Sequence, residues 1–260
     1  MQPNRVARIL GIEKPVVQGP LSWLTDARLV AAVGNAGGLG VLGPNAGLTA
    51  ATAVSTPEAT AEKMREEIRK TKQLTEKPFG VNLIPTAEND IWTPAILPVI
   101  KEEGVKVVVY TGYGDGSLKP ALFDELKAAG ITDARGARAV HALGAEGVFA
   151  GSVFISTIES RVPDSVKAKI VAANGLDLRL FRTLPDYYRA LPGKLSDTLV
   201  AMDRAGASRT ELAQAMGGLR GMRLGMLEGN TDEGYISVGA GIGNIHAITS
   251  VAEVVNQLAV

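Results

Sequence analysis

Glycines that close short apolar runs are the residues of this chain best placed to do chemistry on a ligand. Gly19-Pro20 follows Val16-Val17-Gln18, Gly43-Pro44 follows Leu39-Gly40-Val41-Leu42, and Gly151-Ser152 follows Gly147-Val148-Phe149-Ala150. Gly112, Gly114 and Gly116 follow Lys106-Val107-Val108-Val109-Tyr110. Without a Cβ, the backbone at such a position can come close to an anionic group or a flat aromatic ring. Turn chemistry alone explains any one of these pairs. Together, at successive strand ends, they point to a bound cofactor. Asn82, an amide inside the apolar run Phe79-Gly80-Val81-Asn82-Leu83, either holds a ligand or satisfies neighbouring backbone.

Other chemistry is sparse. With zero cysteines there is no disulfide, thiolate metal site or cysteine nucleophile. There are two histidines. His141 lies in a helical pattern with Val140 and Leu143 and reads as a packed or surface helix residue. His246 follows the Gly239–Gly243 loop and reads as the start of the last helix, so neither is assigned as a catalytic base. Tyr110, Tyr113 and Tyr235 are candidate proton donors, with a structural role the better reading of each. Gly112-Tyr113-Gly114-Asp115-Gly116 lacks the GxGxxG spacing and the later acidic residue of a dinucleotide site, and Gly239-Ala240-Gly241-Ile242-Gly243 follows no βαβ unit. No metal-ligand cluster and no Ser-His-Asp order is present in the sequence.

The elements that position these residues alternate. Four strand-like runs begin near residues 16, 39, 79 and 106, about 23 to 40 residues apart, which is the spacing of βα units. Helical patterns lie between them: 26–35, 58–71 entered through Pro57, 92–103, and 118–129 stopping at Gly130. A chain of 260 residues that is 46% hydrophobic and 21% charged can bury one large core. The pattern suits an α/β barrel or a doubly wound sheet. Twenty-seven basic residues against 27 acidic ones give no reason to expect nucleic acid or an anionic membrane as partner. No apolar run approaches the ~18 residues of a membrane span, and the N-terminus has no signal-peptide core. A cytoplasmic location is the default expectation.

Five segments then carry a resemblance. Pro15–Leu21, Asp26–Gly40 and Gly80–Leu83, followed by Gly144–Ser152 and Ser237–Gly243, are similar to the nitronate monooxygenase (2-nitropropane dioxygenase) family, which also includes FMN-dependent enoyl-ACP reductases. The resemblance implies a TIM (β/α)8-type barrel that binds FMN non-covalently, with a helical insertion near the last strand. It implies that Gln18, Gly19, Pro20 and Leu21 form a loop against the flavin ring, that Asn82 holds the cofactor, and that Gly151 and Ser152 help bind its phosphate. Gly130 resembles a remnant of the strand-seven loop, and the resemblance implies that it and Gly239 and Gly241 also contact the cofactor. The expected organisation is a barrel over 1–156 and 236–260 with a helical lid over 157–235, in which Gly217-Gly218 and Gly221 are candidate hinges. In that lid Met216, Met222 and Met226 read as core ahead of pocket lining, while Arg182, Arg220 and Arg223 are either anion contacts or solvated charges.

The chain also departs from the family. A full barrel needs about 250 residues without insertions, and about 79 of the 260 are taken by 157–235. Strands five to seven are not evident, since nothing between Lys127 and Asp133 reads as a strand, and the family's usual catalytic histidine follows the sixth. The expected function is oxidation of alkyl nitronates with molecular oxygen, because a nitronate is already deprotonated and needs an electron acceptor and anion stabilisation before it needs a base. The alternatives are an FMN- and NAD(P)H-dependent enoyl-ACP reductase, and a shortened homologue that holds no flavin. The expected partners are a small-molecule substrate and oxygen, with homo-oligomerisation left open.

Overall fold

The computed structural model describes residues 4–84, 90–111, 132–183 and 187–259. They form two compact units, residues 1–161 with 249–260, and residues 162–248. The expected division placed 157–161 in the insertion and 236–248 in the barrel.

The first unit is a parallel α/β assembly of TIM-barrel type. Its elements are α1 (Arg5–Leu10), β1 (Val16–Gln18), α2 (Ala27–Asn35), β2 (Gly40–Leu42), α3 (Pro57–Leu74), β3 (Phe79–Leu83), α4 (Trp92–Glu102), β4 (Val107–Tyr110), α5 (Ala134–Ala142), β5 (Val148–Ala150) and α6 (Ser152–Ile155). The final helix of the chain, numbered below, completes it. Parallel pairing joins β5 to β1 and runs through β2, β3 and β4. A parallel bridge between Val17 and Leu39 links the two sets, with the Gln18 N–H donating to the Leu39 carbonyl at 2.9 Å. The strand order is therefore β5-β1-β2-β3-β4. Among the described residues no strand closes the ring, and none lies between β4 and β5. The expected helix 118–129, the break near 128–133 and Gly130 fall mostly outside the described residues; Asp133, just past them, caps α5 by accepting from the Gly136 N–H at 2.9 Å.

One face of this arc carries the core. Leu42, Phe79, Val81 and Leu83 pack with Met64 and Ile68 of α3 and Val99 and Ile100 of α4. Gly40 lies on the same side, where a Cβ would stand 2.4 Å from the Val30 carbonyl oxygen, so α2 rests directly on the strand backbone. Alternation puts Val17, Phe149, Val41, Gly80, Asn82, Val107 and Val109 on the opposite, inner face. Because all five strands are parallel, Gly19, Gly43, Thr111 and Gly151 lie at one edge, the edge where this architecture places its ligands.

The second unit holds α7 (Asp164–Ala172), β6 (Arg179–Arg182), β7 (Tyr187–Ala190), α8 (Lys194–Arg204), α9 (Arg209–Met216), α10 (Gly218–Leu227) and a short 3-10 turn (Ala240–Asn244); α11 (Val251–Leu258) returns to the first unit. The expectation of an all-helical segment is corrected here, because β6 and β7 form an antiparallel hairpin. Phe181 and Ala190 of that hairpin are buried with Leu199, Leu212, Met216 and Tyr235. Of the candidate hinge glycines, Gly217 and Gly218 stand in the left-handed region at φ 70 and φ 49 between α9 and α10, and a Cβ on Gly218 would meet nothing within 4 Å. Gly221 and Gly225 lie inside α10, where a Cβ on Gly221 would meet the Met216 carbonyl oxygen at 2.2 Å and one on Gly225 the Tyr235 carbonyl oxygen at 2.2 Å, so these two admit close packing. Met216 and Met226 are core residues. Arg182 pairs with Asp203, Arg223 with Glu228, and Arg220 with Glu233 at 3.8 Å. His246 is exposed and precedes the last helix instead of opening it, since Ser250 and Glu253 form the capping box of α11. No helix among the described residues is long and apolar enough to cross a membrane.

Candidate functional site

The strand edge is built by tight loops. Gly19 donates its N–H to the Ala150 carbonyl at 2.7 Å, which fixes the exit of β1 to that of β5. A Cβ on Gly19 would stand 2.8 Å from Phe149 Cε1, and one on Gly151 would stand 3.4 Å from Leu21 Cδ2. Residues 18–21 and 149–151 are therefore adjacent, with the Phe149 ring over the bare Gly19 backbone. Phe149, on the edge strand β5, is 55% exposed on the inner face.

Gln18 behaves differently from its neighbours. Its side chain is fully buried, with Oε1 accepting from the Val41 N–H at 3.1 Å and Nε2 donating to the Gly19 carbonyl. Oε1 thus clamps β1 to β2 while Nε2 is spent on the loop that follows β1, and the Gln18 N–H is spent on Leu39. The surface left for a ligand on this loop is the Gly19 backbone with Pro20 and Leu21.

The second loop leans on the first. A Cβ on Gly43 would stand 3.0 Å from the Leu21 nitrogen. Buried Thr25 ties the two, its Oγ1 accepting from the Gly43 N–H at 2.8 Å and donating to the Leu21 carbonyl at 3.2 Å. Trp23, between them, is held at φ 67 with its N–H on the Pro44 carbonyl at 2.9 Å. A bulky non-glycine residue at positive φ costs on the order of 1–3 kcal/mol and persists only where its surroundings over-determine it.

Asn82 supplies the clearest polar feature. Its Nδ2 donates to the Val109 carbonyl and to Thr111 Oγ1, both at 2.8 Å. A carbonyl can only accept, so the nitrogen of the amide is identified by its partner and Oδ1 must point the other way. That oxygen is buried and has no hydrogen-bond partner among the described residues, while Asn82 itself is 4% exposed. A buried acceptor without a donor costs roughly 1–3 kcal/mol. The residues present therefore fit a flat, ring-bearing group with an N–H donor: an aromatic platform at Phe149, a backbone approach at Gly19 and a buried acceptor at Asn82.

Of the remaining expected site residues, Ser152 opens α6, whose N-cap Gly151 offers no side-chain cap. Gly239 and Gly241 belong to the second unit, where they frame the 3-10 turn that packs against α7, and a Cβ on Gly175 would meet the Ala240 carbonyl oxygen at 2.3 Å. Gly130 and Tyr113 lie outside the described residues. His141 sits in the last turn of α5, its Nε2 buried and without a partner among the described residues. Tyr110 is 65% exposed. Tyr235 donates to the Gly218 carbonyl at 2.9 Å, and burial, with Tyr188 beside it, pushes its pKa well above the ordinary tyrosine value, which makes it a structural group and a poor proton donor. Phe149 and Thr111 are site features that the sequence does not reveal. The only signal for the first is a large aromatic flanked by Val148 and Ala150 in a strand.

Away from the strand edge, a cavity of about 470 Å³ is lined by Asp26, Arg28, Gly47, Glu67, Lys70 and Arg161, and includes none of the residues above. Glu67 accepts from the Ala27 N–H at 2.8 Å and Asp26 from the Leu29 N–H at 2.8 Å, so two carboxylates serve the start of α2. Burial raises the Asp26 pKa, against the opposing effects of the Leu29 N–H and the Arg161 charge.

The sequence profile of the family described as "Nitronate monooxygenase" matches residues 4–113 and 126–260. A Mycobacterium tuberculosis protein named (3aS,4S,5R,7aS)-5-hydroxy-7a-methyl-1-oxo-octahydro-1H-indene-4-carboxyl-CoA dehydrogenase is 30% identical over 258 positions, covering 77% of this chain and 69% of that one. As 77% of 260 residues is about 200, roughly 58 of those positions have no counterpart in this chain. A nitronate monooxygenase from Pseudomonas aeruginosa is 32% identical over 48% of this chain and 36% of its own length. The solved structure of FabK from Thermotoga maritima superposes with a TM-score of 0.79 at 25% identity, covering 99% of this chain and 95% of that one.

Proposed function

This chain belongs to the nitronate monooxygenase family and is a flavin-dependent oxidoreductase of that type, and from that premise we propose that it binds FMN at the strand edge of its first unit and oxidises alkyl nitronates with molecular oxygen. The observation that supports the reading best is the buried, donor-seeking Oδ1 of Asn82 on the same inner face as Phe149 and Gly19. Pro20 and Leu21 would border the ring, and Gly151 with Ser152 would receive the phosphate. When bound, FMN supplies the redox chemistry, taking electrons from the substrate and returning them to oxygen. The protein positions and shields. Thr25 and Trp23 hold the two loops in one arrangement, and the Phe149 side chain would cover apolar ring surface from water. No side chain is assigned as a base, and a substrate that arrives as a nitronate anion requires none for its deprotonation.

A second reading, action on an acyl thioester as in an FMN- and NAD(P)H-dependent enoyl-ACP reductase, is favoured by the likeness to FabK and by relatives whose name specifies a carboxyl-CoA substrate. Oxygen uptake by the FMN-loaded protein separates the two. Consumption with propionate 3-nitronate, and none with an enoyl thioester plus NAD(P)H, is the expected result. Turnover of the thioester alone would replace the first reading by the second. A purified protein that is colourless and takes up no FMN would support the third alternative, a homologue without flavin.

A further inference from the structure

We propose that Thr111 is a positioning residue for cofactor recognition: with the Val109 carbonyl, it locks the Asn82 amide so that only its oxygen faces the ligand. The inference rests on the FMN reading above and extends it to a residue outside the expected site. Asn82 has two amide hydrogens, and the structure accounts for both, one on the Val109 carbonyl and one on Thr111 Oγ1, each at 2.8 Å. Thr111 is itself fixed, because its N–H donates to the Leu83 carbonyl at 3.0 Å, one residue beyond Asn82. A single bond to Val109 would leave the amide free to swing about Cβ–Cγ. Two bonds at fixed spacing define its plane.

The consequence is selectivity by donor and acceptor pattern. An amide free to turn presents either a donor or an acceptor and so tolerates either kind of ligand edge. An amide whose hydrogens are both spent presents an acceptor alone, and it is buried, so a ligand edge that offers another acceptor is rejected at the cost of two facing lone pairs. The imide N–H of an isoalloxazine is an edge of the accepted kind.

The test uses the full-length protein and FMN titration by flavin fluorescence quenching, with side-chain amide NMR of asparagine-labelled protein beside it. Thr111→Val keeps the shape and removes the acceptor; the expected result is FMN binding about fivefold weaker, with loss of exchange protection at the Asn82 side-chain NH2. Thr111→Ser retains the hydroxyl and is expected to bind like the parent. In an Asn82→Ala background Thr111→Val is expected to add nothing, the non-additivity that identifies a residue acting through another. If Asn82→Ala weakens FMN binding while Thr111→Val leaves both affinity and NH2 protection unchanged, the positioning role is overturned and the flavin reading stands. If Asn82→Ala binds FMN as tightly as the parent, Asn82 does not recognise the cofactor and the inference is overturned while FMN binding stands; if the parent protein binds no FMN, the flavin reading itself fails and takes the inference with it.

Discussion

Replacing Gly19 with alanine distinguishes a glycine kept for a ligand from one kept for a turn. Its φ is not in the left-handed region, so alanine adopts the backbone without strain. The added methyl would meet Phe149 Cε1 at 2.8 Å and the Ala150 oxygen at 3.4 Å. The second distance is ordinary contact. The first involves the far end of a side chain that is 55% exposed and can swing outward. The apoprotein should therefore lose less than about 1 kcal/mol, in the range of surface substitutions. The same methyl projects onto the inner face, where a ring lying against the loop would be held off, and a displacement of that kind is expected to cost FMN at least tenfold in affinity, about 1.4 kcal/mol. Urea unfolding of the apoprotein and FMN titration followed by fluorescence quenching measure the two quantities separately. Unchanged FMN affinity in a stable Gly19→Ala protein would refute the placement of the ring, and a collapse of stability would show that the glycine serves packing.

Gly40→Ala should behave in the opposite way, losing about 3 kcal/mol by urea unfolding, because its methyl would run into the Val30 backbone of α2, which cannot rotate aside. Asp26→Asn keeps an N-cap acceptor and removes a half-buried charge. A carboxyl whose folded pKa is raised binds its proton more tightly in the folded state, so native stability falls as pH rises through that pKa. The variant should equal or exceed the parent in urea midpoint at pH 7 and lose that advantage near pH 4; an advantage that grows on acidification would contradict the sign. Tyr235→Phe leaves the Gly218 carbonyl without its donor and should cost about 1 kcal/mol in thermal or urea unfolding, with FMN binding unaffected.

The first half of the fold was legible because each strand is a short apolar run closed by Gly, Pro or a polar residue and the helices between them carry their own punctuation. Asp26, Thr56 and Asp133 cap their helices through side-chain oxygens, as their residue types predict. The hairpin at 179–190 was not legible as strand. Arg179-Leu180-Phe181-Arg182 and Tyr187-Tyr188-Arg189-Ala190 alternate only loosely, and Pro185 and Pro192 read as helix punctuation. Helix α10 was obscured by Gly218, Gly221 and Gly225, which oppose a helix in isolation; Gly221 and Gly225 are tolerated because Tyr235 packs where their side chains would be. At the site, residue types announced Gly19, Asn82 and Gly151. What each contributes depends on partners about 20 to 140 positions away, and no local pattern encodes those. Gln18 illustrates the gap: adjacent to the loop in sequence, its amide is consumed by Val41.

The first unit is split in the chain, with residues 249–260 separated from the rest by 162–248. Its helix α11 buries Val251, Val254, Val255 and Leu258. During synthesis, at about 5–20 residues per second, the second unit leaves the ribosome whole before the first has received its last helix. The 87 residues of 162–248 take about 4 to 17 seconds to translate at that rate, and for that time the first part of the unit keeps exposed the apolar surface that α11 later covers.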